Sequence, residues 1–221
     1  MVTLVRRSCC AMFLLLAPAL TQGADYRVEP LAAAPPTNSI APSIAGLLNA
    51  EGFKVLRGQS RTVCEIWLAK QWDTAEGELP AAVNYPLKPG SLVGVVRFPK
   101  KAGDFRDQDI AEGIYTLRYA QQPVDGAHVG TSPTRDFLLL LPADKDTNAG
   151  VLDYATMVKS SAEAAGSNHP LLLSLQKAAD GGEALGMRHA EDLDWWIVRF
   201  TGKTKAKDVA VELVISGHAE A

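Results

Sequence analysis

Large apolar residues alternate with polar ones from Tyr115 through Leu117 to Tyr119, with Thr116 and Arg118 between them. That period of two is the pattern of a strand with one face buried and the other wet or against a polar layer. Further on, residues 137–141 are continuously apolar and are stopped by Pro142. So short an apolar run predicts a strand covered on both faces. Between the two lie Pro123, Asp125, Gly126, Gly130 and Pro133, all turn formers for stereochemical reasons. The segment 113–142 therefore reads as strand, polar loop, strand. The loop, at about fifteen residues, is longer than the common hairpin connection, and long ordered loops often carry function.

The same reading extends along the chain. Residues 53–57 and 62–68 predict two strands joined through Gly58-Gln59-Ser60, with Cys64, Ile66 and Leu68 on one face of the second. Residues 91–99 predict another strand, with Gly94 marking a bulge. Residues 171–175 suit a short strand or a helical turn, and 195–201 with 209–216 predict a terminal hairpin. Helical spacing occurs twice. Residues 42–50 place Ile44, Leu47 and Leu48 on one side, and 153–165 place Tyr154, Met157, Val158 and Ala162 on one side, with Gly166 as a stop. These patterns predict a mainly β fold: an antiparallel β-sandwich, Ig-like or jelly-roll-like, of about eight or nine strands with one or two peripheral helices.

The first residues have a different character. Arg6-Arg7 precede an apolar run from Cys9 to Leu20, and small residues at Gly23 and Ala24 follow, which is the pattern of a cleaved export signal. The run of about twelve residues is short of the ~20 needed to cross a bilayer as a helix. The expectation is a periplasmic or extracellular protein with no stable membrane anchor after cleavage. Residues 1–24 are then the signal, 25–41 an Ala/Pro-rich tether, and 42–221 a single β-sandwich-like domain.

Removing residues 1–24 takes away two arginines and no acid, leaving 20 Lys+Arg against 25 Asp+Glu and a formal charge of −5. Lys203, Lys205 and Lys207 read as the tip of a hairpin, so no basic face argues for a nucleic-acid partner. Cys64 is then the only cysteine, which excludes an internal disulfide and makes a buried small hydrophobe its expected role.

The densest set of reactive side chains is Asp125, His128, Arg135 and Asp136, assigned as the candidate ligand-binding residues. Imidazole and carboxylate suit a divalent transition metal, and His128 beside Asp125 or Asp136 suits a general base. The plainer alternative is structural: Asp125-Gly126 makes a turn, Arg135 pairs with an acid, and Asp136 accepts from backbone N–H groups. His-x-His and His-Glu-x-x-His are both absent, so no catalytic residue, metal ligand or cofactor is assigned. His169 and His189 are the distant residues that a metal site would recruit. Asp104, Asp107, Asp109 and Glu112 lack the spacing of an EF-hand loop and read as solvent-facing acids around a hairpin turn. Of Trp195-Trp196, strand geometry allows at most one per face. No nucleophile elbow or phosphate-binding glycine loop occurs. The expected function is an exported, non-enzymatic protein that binds a small ligand or another protein. The alternatives are a metal-assisted hydrolase using Asp125, His128 and Asp136, and a structural envelope protein.

Overall fold

A computed structural model describes residues 25–125, 132 and 134–219; the expected signal, 1–24, and His128 lie outside the described residues. The alternating segments form the strands β1 (Tyr26–Leu31), β2 (Gly52–Arg57), β3 (Arg61–Leu68), β4 (Leu92–Phe98), β5 (Ala102–Gly103), β6 (Asp109–Ile110), β7 (Gly113–Gln121) and β8 (Asp136–Pro142). Then follow β9 (Leu172–Gln176), β10 (Gly186–Ala190), β11 (Trp195–Lys203) and β12 (Asp208–Ser216). The helices are α1 (Pro42–Ala45) and α2 (Tyr154–Ala165). The fold is mainly β and antiparallel, as the periodicity predicts.

Ten strands make one sheet in the order β1-β2-β3-β4-β7-β8-β9-β12-β11-β10, while β5 and β6 pair only with each other. The chain meanders from β1 to β9, crosses to the far edge, and returns through β10, β11 and β12 until β12 meets β9. Strand twist, accumulated over so many strands, curls the sheet until its edges meet. β1 lies against β10, and Tyr26 on β1 reaches Trp196 on β11, with ring centroids 5.2 Å apart. The Tyr26 hydroxyl also donates to Ser216 Oγ on β12 at 3.1 Å. The sheet is thus nearly closed into a barrel. Its opposed walls meet across the core much as two sandwich layers would: Phe53 on β2 stands 5.3 Å from Phe200 on β11.

The barrel is filled, not hollow. Val55, Ile66, Val96, Leu117, Leu138, Leu173 and Leu213 point inward and are essentially inaccessible to water. One end is plugged by Ile40, Ile44 and Leu48 and by Trp72, Tyr85 and Leu87 from the segment between β3 and β4. Trp72 donates its indole N–H to the Val93 carbonyl at 2.8 Å and sets its ring edge against Gly202. A Cβ at Gly202 would lie 2.1 Å from that ring, so only glycine lets the plug seat. Burying each large apolar side chain in this way stabilises the fold by roughly 1.5–3 kcal/mol.

The outer face of the sheet is covered in two places. Asp153 caps α2 by accepting from Thr156 N–H at 2.9 Å, and Gly166 ends the helix in the left-handed conformation, φ 63°. Met157 on α2 then packs on Ala120, Leu139 and Leu141. The β5–β6 excursion lays Phe105 on Phe137, Trp195, Ile197 and Val214. Residues 138 and 140 face the core while 137, 139 and 141 lie under these covers, which is why β8 is apolar throughout.

The polar face of β7 is also buried. Arg118 is 0% exposed, and its guanidinium makes a two-pronged pair with Asp146, Nε to Oδ2 at 2.8 Å and Nη2 to Oδ1 at 2.9 Å. The remaining N–H groups donate to the carbonyls of Gly90, Asn148 and Gly150, so the segment after β8 is fastened to β7. Such a pair offsets its desolvation only because every donor is matched.

Three expectations are refined. The stretch expected as an Ala/Pro-rich tether is extended, but its first part is strand β1, paired with β2 from Tyr26↔Arg57 to Leu31↔Gly52. Its only long polar–apolar alternation, Arg27-Val28-Glu29, is overshadowed in composition by the prolines that follow. The short strand β10 was not anticipated: as an edge strand it exposes Arg188 and His189 and carries little apolar signal. Among the turn acids, Asp104 is buried, with Oδ1 accepting from the N–H groups of Arg106 and Gln108, both at 2.8 Å, and Oδ2 from that of Leu172 at 3.1 Å.

Candidate functional site

The expected loop begins after β7 and ends at β8, and its described residues divide into two roles. Asp136, the first residue of β8, is completely buried. Its carboxylate accepts from Tyr119 Oη at 2.6 Å, Asn84 N at 2.9 Å, Asn84 Nδ2 at 3.1 Å and Tyr85 N at 3.3 Å. Burial pushes its pKa above the ordinary carboxylate range, against the downward pull of these bonds. The arrangement locks the plug segment onto β7 and β8. Arg135 does related work. Among the described residues its bonds go to carbonyls: it donates to that of Gln122 from Nε (3.0 Å) and Nη2 (2.8 Å), and to that of Ala81 from Nη1 (3.3 Å).

The plug reaches further through Tyr85, whose hydroxyl donates to the Gln176 carbonyl and accepts from Glu212 N–H at 3.2 Å. It bridges β9 and β12 where their pairing is short, Leu213↔Leu175 and Glu212↔Gln176. Burial pushes this phenol up to about 12, so it remains a neutral donor.

Asp125 is placed differently. Its charge is close enough to Tyr154, the first residue of α2, to add to the burial that raises the phenol's pKa. That brings the first part of the loop beside a groove on the outer face, about 280 Å³ in volume. The floor is made by Ala120, Phe137, Leu139 and Leu172, outward-facing residues of three adjacent strands. Tyr154 and Val158 of α2 form one wall, and Phe105 and Pro170 the other. Gln122 and Pro123 line the groove where the loop starts, and exposed Arg106 and His169 supply cationic and imidazole groups to its lining. An apolar floor with a few polar groups around it is the common form of a small-molecule site.

The other candidates are scattered. His169 belongs to the groove, whereas His189 on β10 stacks on Trp196 (centroids 4.3 Å apart) and meets Asp194 Oδ1 at 2.9 Å. Among the described residues, no three metal-ligating side chains converge. Trp195 is buried under Phe105 and Trp196 takes the opposite face, so the pair forms no joint platform. Cys64 is buried, and desolvation raises its thiol pKa well above the ordinary value. The sequence reading missed Phe105, Tyr154 and Leu172 as site residues. Its available signal was the apolar run 137–141, which requires a cover on the outer face; where that cover leaves a gap is a tertiary fact.

Comparison with protein-family models, with curated proteins and with solved structures finds no match to this chain.

Proposed function

We propose that the chain is an exported, non-enzymatic binding protein whose groove between α2 and Phe105 takes a small amphipathic molecule. The carrying observation is the apolar groove itself, left between the two covers of the outer sheet face. The apolar part of the ligand lies on Phe137, Leu139 and Leu172, and its polar end meets Arg106 or His169. The buried carboxyls with raised pKa values, Asp104 and Asp136, are both engaged by backbone amides, which favours binding over acid–base chemistry. The Arg6-Arg7, apolar and small-residue pattern of the first 24 residues supports export.

Anilinonaphthalene sulfonate, an aromatic body with one sulfonate, is a suitable probe. Fluorescence titration of the mature chain is expected to show saturable binding at one site, weakened about tenfold or more by Val158→Glu at unchanged melting temperature, since a charge on the wall opposes apolar burial. Equal binding by both proteins, or none, would overturn the groove assignment. Export is tested separately by N-terminal sequencing of protein recovered from outside the cytoplasm, with a start at Ala24 or Asp25 expected. Retention of the uncleaved chain inside the cell would refute it.

A further inference from the structure

Charges on the outer face of the first four strands alternate in sign. Glu29, Lys54, Glu65 and Arg97 are successive register partners, and ion pairs of 3.1 Å (Lys54–Glu29) and 2.6 Å (Arg97–Glu65) follow. At the end of β2 the rule breaks: Arg57 stands directly opposite Arg61. Like charges in that position destabilise a sheet. Both belong to the inward side of the barrel. Arg57 is the register partner of Tyr26, which packs against the core, and its guanidinium lies 5.4 Å from the centre of the Tyr26 ring.

The two arginines line a cleft of about 510 Å³ at the barrel end opposite the plug, bordered by residues 100–104 and by the end of β12. Most acids of this cleft are already engaged. Asp109 pairs with Lys101 at 2.7 Å, Asp194 with His189 at 2.9 Å, and Asp104 accepts from backbone amides. Among the described residues, no carboxylate forms an ion pair with Arg57, Arg61 or Lys100, although the lining as a whole sets four acids (Asp104, Asp107, Asp109 and Asp194) against four cations (these three and Lys101). The cleft therefore holds three cations without an ion-pair partner among the described residues, and two of them, Arg57 and Arg61, are register partners on the inward face.

We propose that the barrel mouth binds a small molecule bearing an oxyanion (carboxylate, phosphate or sulfate), held by Arg57 and Arg61 with Lys100 in the same cleft. Planar guanidinium groups match such oxygens in pairs. An oxyanion between them removes the like-charge repulsion, so occupancy raises the stability of the fold. The proposal is independent of the outer groove, with which this cleft shares none of its lining residues.

The test is thermal unfolding of the mature chain with citrate and with inorganic phosphate, against sodium chloride at matched ionic strength to remove general screening. Wild type, Arg61→Gln and Lys205→Gln are compared, the last being an exposed lysine in the β11–β12 turn. At least one oxyanion is expected to raise the wild-type melting temperature saturably, with half-saturation shifted roughly tenfold upward by Arg61→Gln and unmoved by Lys205→Gln. Without added anion, Arg61→Gln is expected to melt at or above the wild-type temperature. Anion effects that are absent, or equal in wild type and Arg61→Gln, overturn the site. A ligand-free Arg61→Gln that melts well below wild type does so too, because Arg61 would then be holding the fold together.

Discussion

The Tyr119 hydroxyl donates to Asp136 Oδ1 at 2.6 Å, and both residues are fully buried. One belongs to β7 and the other to β8, and the same carboxylate holds the plug at Asn84 and Tyr85. Burial, then the Asp136 charge, raise the Tyr119 pKa far above its ordinary value, so the phenol remains a donor. Tyr119→Phe leaves one carboxylate oxygen short of its best donor and is expected to cost about 1–3 kcal/mol. Asp136→Ala, which abandons every donor at once, is expected to cost more. Equilibrium urea unfolding decides; wild-type stability in Tyr119→Phe would show that the bond contributes nothing.

Asp136 and Asp104 titrate in the unusual direction, each raised above 3.8 by burial. Above that value the folded chain binds more protons than the unfolded one. Their contribution to stability is therefore complete below the unfolded pKa and is lost as the pH rises through the folded pKa. Asn at position 136 cannot titrate. The stability of wild type relative to Asp136→Asn is expected to be greatest, and level, below about pH 3.8 and to decline as the pH rises above it, as read from urea midpoints across a pH series. A gap that widens with pH would contradict the assigned direction.

Arg118 and Asp146 form the most deeply buried ion pair among the described residues, with side chains 0% and 1% exposed. Arg118→Met strands a buried carboxylate and is expected to cost about 3–5 kcal/mol. Arg118→Met combined with Asp146→Leu is expected to cost clearly less than the two single changes added together, because neither charge is then stranded. A chemical-denaturation cycle measures the difference. Additivity would mean that the pair is not coupled.

Gly202 gives the plug its seat. Its Cβ would meet the Trp72 ring at 2.1 Å, so Gly202→Ala must push Trp72 out of place. Overpacking of this kind is expected to cost about 1–3 kcal/mol or more. The near-ultraviolet circular dichroism of the buried indole should weaken while the far-ultraviolet strand signal persists. An unchanged spectrum would mean that the plug yields without strain.

Much of the fold was legible because periodicity is a local property. The alternation at 115–119 and the apolar run at 137–141 became β7 and β8, Gly94 became a register shift opposite β7, and the capped helix ends at Gly166 as its spacing predicts. Asp136 as a bonding partner of backbone N–H groups was within reach too, since a carboxylate at a strand start has few other uses. Its partners were not: Asn84 lies 52 residues away, and Arg118 meets Asp146 across 28.

The sequence alone determined that these segments are strands, that the strands must be covered, and that Cys64 is the one cysteine among them. Strand geometry and the hydrophobic effect act residue by residue, so composition and spacing carry them. Only the tertiary structure decided that ten strands curl into one nearly closed sheet, that Arg118 is buried while Arg57 and Arg61 face each other at the mouth, and that the covers leave a groove beside Tyr154. Those outcomes depend on which distant residues supply a charge, a donor or an apolar surface, and sheet order, rather than local pattern, determines that.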